Sequence, residues 1–153
     1  MLRRPTSPIK AHVQTENLPP VTNDTLSKPA TPFDRLGGHP TMEAICNRFY
    51  DLVDSDPAYA ELRAMHAADL APVRKGLPLF LAGWAGGPRD WFEANPGRCM
   101  MSLHAPFKIN RAVAEQWAQA MQRAIADVAP EPPELAKGLS RALSDLAIAM
   151  GRD

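Results

Sequence analysis

The stretch NRAVAEQWAQAMQRAIADV, residues 110–128, decides the fold class. Its apolar residues Val113, Trp117, Met121, Ile125 and Val128 recur every three or four positions, which puts them on one stripe of an α-helix. Asn110 stands where an N-cap belongs, since its short side chain can accept from the unpaired N–H groups of a first turn. A long helix with one apolar stripe needs an apolar partner surface, and its other face belongs in water.

Downstream, the Pro-rich break PEPP precedes a second such stripe in Leu135, Leu139, Leu143, Leu146 and Met150. Upstream, residues 99–110 read CMMSLHAPFKIN and set His104 among apolar neighbours, directly before Ala105-Pro106. Residues 88–100 show no period and are expected to form an irregular connection. Before them, Leu70, Val73, Leu77, Phe80, Leu81 and Trp84 make a helical face that Gly86-Gly87-Pro88 ends. Pro78, two residues after Gly76, lies inside that face and removes a helix hydrogen bond, so the helix is expected either to kink or to start late. DPAYAELRAMH, residues 56–66, is a short helix. Met42, Ile45, Cys46, Phe49, Leu52 and Val53 form a further face, with Pro40 suited to its first turn. Nothing alternates as a strand does, so the fold class is all-α.

The first 32 residues differ in kind. They hold six of the sixteen prolines and no Phe, Trp or Tyr. Such a segment buries too little apolar surface to offset its ordering entropy, and it is expected to be a disordered extension ahead of one domain over residues 33–153. A short linear recognition motif is the alternative use of such a tail.

Seventeen Lys and Arg against seventeen Asp and Glu give zero net charge and a pI near 6.9. That balance argues against a nucleic-acid partner, which calls for a basic face. No apolar run approaches the roughly 18 residues of a membrane span, and no apolar stretch follows Arg3 and Arg4 as in a secretory signal. Cys46 and Cys99 form neither a C-x-x-C pair nor a haem-attachment motif, and two distant thiols fit a reducing cytoplasm. The acidic residues are scattered, with no catalytic dyad and no metal cluster among them.

His104 carries the chemistry. A buried imidazole must be hydrogen-bonded or must bind something. One reading is a histidine bonded to a carbonyl in a helical core. The other is an axial ligand to a haem iron, which requires a neutral imidazole in an apolar slot. Phe80, Leu81, Met100, Phe107, Trp117 and Met121 offer apolar walls for such a group, but periodicity does not separate them from an ordinary core.

The stretches FDRLGG, RFYDLV, ELRAMHAADLAP, FLAGWAGGP, HAPFKI and QWAQAM resemble the group II truncated haemoglobins of bacteria and plants, in order and in spacing, over residues 33 to about 150. GGP, then HAPF sixteen residues on, then Trp117 thirteen residues after His104, is far more specific than a lone motif. The resemblance implies a shortened globin fold, two helix pairs around one non-covalent haem b. It implies His104 as the proximal iron ligand. It sets the Tyr50 hydroxyl and the Trp117 indole N–H toward the ligand and His66 beside the distal face. Val73, Leu77, Phe80 and Leu81 fall on the helix covering that face, and Trp91 falls where members often have a tyrosine near a haem propionate. Against the family pattern, Leu103 stands where many members have an arginine before the histidine, Trp91 is a donor only, and Gly76 and Pro78 interrupt the distal helix.

The resulting expectation is a haem b protein that binds O2 and other small diatomic ligands on iron held by His104. Tyr50, Trp117 and His66 are the expected donors. Three donors would hold O2 tightly, which suits ligand chemistry or sensing rather than bulk oxygen transport. Two rivals stand beside it. One is an enzyme acting on nitric oxide or peroxide, with an unidentified reductant, since no reductase domain is visible. The other is a signalling or interaction module that uses the Pro-rich tail.

Overall fold

The computed structural model describes residues 29–97 and 108–152, and among these every regular element is helical. Helix α1 (Pro32–Arg35) is short and strongly capped. The Thr31 side chain accepts from the Asp34 N–H at 3.2 Å, and the Asp34 carboxylate accepts from the Thr31 N–H at 3.2 Å. Gly37 and Gly38 then turn the chain with φ of +110° and +74°, values that an L side chain rarely adopts. The turn leads into α2 (His39–Ser55), with Pro40 in its first turn.

The stripe expected on α2 is buried throughout: Met42, Ile45, Cys46, Phe49, Leu52 and Val53. Asp56 ends the helix and caps a 3-10 turn (Pro57–Tyr59), accepting from the Ala58 N–H at 2.9 Å. The segment read as one short helix is thus this turn followed by α3 (Ala60–Ala64).

Helix α4 (Ala71–Trp84) runs through Pro78, which is buried inside it. It therefore does not start late. The proline deprives the Arg74 carbonyl of its helical donor, and the backbone continues without that bond. The connection expected to be irregular from residue 88 contains a helix, α5 (Asp90–Ala94). Tertiary packing accounts for it, because Trp91 and Phe92 both pack on Phe80, with ring centroids 5.2 and 5.5 Å away.

Helix α6 (Arg111–Val128) begins at the expected cap, the Asn110 side-chain oxygen accepting from the Val113 N–H at 2.8 Å. Helix α7 (Pro133–Met150) follows the Pro-rich break. α2 packs on α4 and on α6, and α6 packs on α7. The result is two helix pairs, α2 with α4 and α6 with α7, joined through the contact of α2 with α6. No helix among the described residues is long and apolar enough to cross a membrane. Residues 1–28 and 98–107 lie outside the described residues, and with them most of the expected extension, Leu103, His104, Met100 and Phe107.

Candidate functional site

A cavity of about 350 Å³ opens between the two helix pairs. That volume is within the roughly 300–1,000 Å³ typical of ligand sites. Its wall on the α2 and α4 side is made by Tyr50, Val73, Leu77, Phe80 and Leu81. α3 and the residues after it add Leu62, Met65 and His66. Trp117 comes from α6, beside Val113 and Ala114, and α7 closes the far side with Leu143, Leu146, Ala147 and Met150.

Seven of the residues singled out in the sequence therefore share one wall: Tyr50, His66, Val73, Leu77, Phe80, Leu81 and Trp117. Two others do not. Met121, one turn past Trp117, is fully buried in the closed core. Trp91 is not among the residues that line the cavity and stands edge-on to Phe80 and to Phe92. The α7 residues were legible only as an apolar helix face, because a stripe looks the same whether it meets a helix or a cavity. Leu62, Met65 and Ile109 carry no sequence signal for a wall position.

Each polar group in the wall is held by identifiable contacts. Tyr50 is 4% exposed. Its ring packs against Phe49 at 4.9 Å and His66 at 5.8 Å, and Phe49 in turn packs on Trp117 at 5.2 Å. Arg74 braces it from α4. The guanidinium stands 6.0 Å over the Tyr50 ring and donates to the Asn47 carbonyl at 3.1 Å and to Asp51 at 2.8 Å. Burial pushes the Tyr50 phenol well above its ordinary range, the neighbouring Cys46 adds to this, and Arg74 opposes it. The group is therefore a neutral O–H, a donor. Neither that hydroxyl nor the Trp117 indole N–H has a hydrogen-bond partner among the described residues.

Two such donors among the lining of a largely apolar cavity bring hydrogen-bonding capacity that a bound ligand can meet. The wall can therefore enclose a large apolar group and donate to an electron-rich atom beside it. Those are the demands of a haem and its ligand. Among the described residues no group of three or more His, Cys, Asp or Glu is placed to hold a bare metal ion.

His66 is tied to its own segment. Its Nδ1 lies 2.9 Å from the Leu62 carbonyl oxygen, which can only accept, so Nδ1 carries the proton. In the neutral ring with that hydrogen bond, Nε2 is an acceptor. The segment is pinned. The Leu62 N–H donates to Gln116 of α6 at 3.0 Å, and Arg63 donates to the Ala67 and Ala68 carbonyls at 3.0 Å each and to Asp54 at 2.8 Å.

This helical arrangement has counterparts among known proteins. Residues 31–151 match the family model described as bacterial-like globin. Among solved structures, the cold-adapted truncated hemoglobin from the Antarctic marine bacterium Pseudoalteromonas haloplanktis TAC125 superposes with a TM-score of 0.77 at 31% identity, over 81% of this chain and 99% of that one. The group II 2-on-2 hemoglobin from the plant pathogen Agrobacterium tumefaciens gives 0.76 at 28% identity, over 82% and 96%. The group II truncated hemoglobin from Bacillus anthracis gives 0.72 at 26%, over 82% and 93%. With the family model spanning residues 31–151 and two helix pairs enclosing the cavity, the chain belongs to the bacterial-like globin family as a group II truncated haemoglobin, a two-over-two helical fold that binds small ligands through haem.

Proposed function

We propose that this chain holds a non-covalent haem b with His104 as the protein ligand of its iron. In this reading it binds O2 and related small molecules, among them NO and CO, for ligand chemistry or sensing in the cytoplasm. Val73, Leu77, Phe80, Leu81 and Trp117 would wall the group, and Met100 and Phe107, near His104 in the sequence, would add to its apolar surround. When bound, the haem would supply an iron able to take a diatomic ligand and shift electron density onto it.

The chain's own groups then discriminate. The apolar wall excludes water, which strengthens every electrostatic contact inside. The Tyr50 hydroxyl and the Trp117 indole N–H donate to the electron-rich end of O2. A hydrogen bond of this charge-assisted kind is roughly twice as strong as a neutral one. CO accumulates little negative charge and gains little from the same donors. An unidentified reductant keeps the iron ferrous.

The observation that supports this reading is that Tyr50 and Trp117, two residues with a polar hydrogen, line one largely apolar cavity and have no hydrogen-bond partner among the described residues. The test is an absorption spectrum of the purified protein, ferric, then reduced, then with CO. A histidine-ligated ferrous-CO spectrum that His104→Gly abolishes and added imidazole partly restores is the expected result. An unchanged spectrum in His104→Gly would mean that another residue binds the iron.

A further inference from the structure

Arg74 stands where α4 supports itself least. Pro78 leaves the Arg74 carbonyl without its helical donor, and Gly76 between them packs on nothing, with no atom within 4 Å of the place a Cβ would take. The Arg74 side chain ties this turn to α2 instead. Its Nη1 donates to the Asn47 carbonyl at 3.1 Å and to the Asn47 side-chain oxygen at 3.2 Å, and its Nη2 donates to Asp51 at 2.8 Å. Asn47 and Asp51 lie one helical turn apart and bracket Tyr50 in the sequence. The guanidinium is therefore held against the stretch of α2 that carries Tyr50, 6.0 Å over the centre of its ring. On α4, Val73 and Leu77 flank Arg74 and line the cavity together with Tyr50.

The ion pair in this clamp is lopsided. The Arg74 side chain is 29% exposed and that of Asp51 56%, so water screens the carboxylate more than the guanidinium. The positive end is the one that lies over the tyrosine, where it opposes part of the rise that burial imposes on the phenol. A cation over an aromatic face is drawn to its π electrons, and polarising the ring in this way makes the attached O–H a stronger donor.

We propose that Arg74 is a positioning residue for ligand binding that acts through Tyr50. Its guanidinium fixes α4 against α2 at the tyrosine and strengthens the Tyr50 hydroxyl as a donor to a ligand in the cavity. This rests on the haem-based ligand binding proposed above and deepens it. A residue that works through another loses its influence when the other is disabled, so the effect of Arg74 on the ligand must disappear with the Tyr50 hydroxyl.

The experiment compares the haem-loaded ferrous forms of the wild type, Arg74→Met, Tyr50→Phe and the double variant. Methionine keeps an unbranched apolar stem and removes the charge and the fork of donors. Stopped-flow release of O2 and of CO, the infrared C–O stretch of the CO complex and urea unfolding are recorded for each. In Arg74→Met, O2 should leave about two- to fivefold faster, the size of one partly exposed cation–π contact. CO release should change much less, and the C–O stretch should move to higher frequency, because less positive field reaches the bound CO. In the Tyr50→Phe background the same substitution should alter neither O2 release nor the C–O stretch, whatever it does to the urea midpoint. Arg74→Lys, which keeps the charge but not the fork, applies the same test more mildly and should fall between the wild type and Arg74→Met. An O2 release that Arg74→Met speeds equally with and without the Tyr50 hydroxyl, or leaves unchanged in both, would overturn the proposal, as would a C–O stretch that does not move. A protein that forms no ferrous-CO complex overturns the proposed function and this inference with it, whereas a CO complex with any of those results overturns this inference alone.

Discussion

Trp117 and Met121 stand one helical turn apart on the same stripe of α6, and their surroundings differ completely. Met121 is fully enclosed, with side chains of the core on every side. Trp117 is half-buried, leans on Phe49 and borders the cavity. The same contrast recurs on α2 between neighbours, where Phe49 is sealed in the core and Tyr50 reaches the cavity wall. Core positions gain stability from contacts on all sides. Wall positions leave one side for a ligand and carry the polar hydrogens the core avoids. The comparison separates what holds this fold from what makes it useful, and substitutions can test the two independently.

The largest effect is expected at the core position. Met121→Ala opens a void among fully packed neighbours and should cost about 2–5 kcal/mol of stability, as buried Met-to-Ala changes do. Urea unfolding of the haem-loaded protein measures it, and O2 dissociation should stay near the wild-type value. A stable Met121→Ala protein with altered O2 release would place Met121 in the wall and break the comparison.

At the wall the expected pattern reverses. Tyr50→Phe removes a buried hydroxyl that has no protein partner among the described residues, so unfolding should change little. Trp117→Phe keeps an aromatic ring against Phe49 and should also be mild. Both should release O2 faster, because a lost hydrogen bond to a charged acceptor costs about 1.5–3 kcal/mol. That is roughly one to two powers of ten in rate if the whole loss falls on dissociation. CO release should change far less. Donors that share one ligand atom should be less than additive in the double variant. Unaltered O2 release in Tyr50→Phe would remove the principal donor from this account.

The limits of the sequence reading follow the same division. Helix faces were legible because burial on a packed helix leaves a period of 3.6, and α2, α4, α6 and α7 lie where their stripes predicted. The walls contributed by Tyr50, His66 and Trp117 were reached through the family's motifs, since no period distinguishes Trp117 from Met121. α5 escaped notice because five residues are too few to show a period, and what stabilises it is the aromatic contact with Phe80. The hydrogen-bonding direction of the His66 ring is not legible for a different reason. A ring tautomer depends on which atom lies beside Nδ1, and no residue pattern contains that distance. His104 stays an expectation drawn from its motif, outside the described residues.

The smallest effect is expected at the N-terminus, where it supplies a baseline for both classes of position. Residues 1–28 hold no Phe, Trp or Tyr, so they have little apolar area to bury, and deleting them should leave haem content and melting temperature nearly unchanged. Deletion through residue 32 is a different experiment, although composition alone draws the boundary there. It removes Thr31, whose side chain caps α1, and Pro32, the first residue of that helix. The signal was present in the sequence as Thr-Pro-Phe-Asp, a cap residue with an acid three positions on. Losing a cap of this kind costs about 0.5–2 kcal/mol. The cost should appear as a lower melting temperature, because α1 anchors the end of α4: the Phe33 N–H donates to the Ala85 carbonyl at 3.0 Å, and the Phe33 ring lies so close to Gly87 that a methyl group there would overlap it. The two truncations measured side by side by thermal unfolding should therefore differ, the longer one being less stable. Equal melting temperatures would show that Thr31 and Pro32 add nothing to the globin domain, and a loss of haem on removing residues 1–28 alone would show that the tail packs against it.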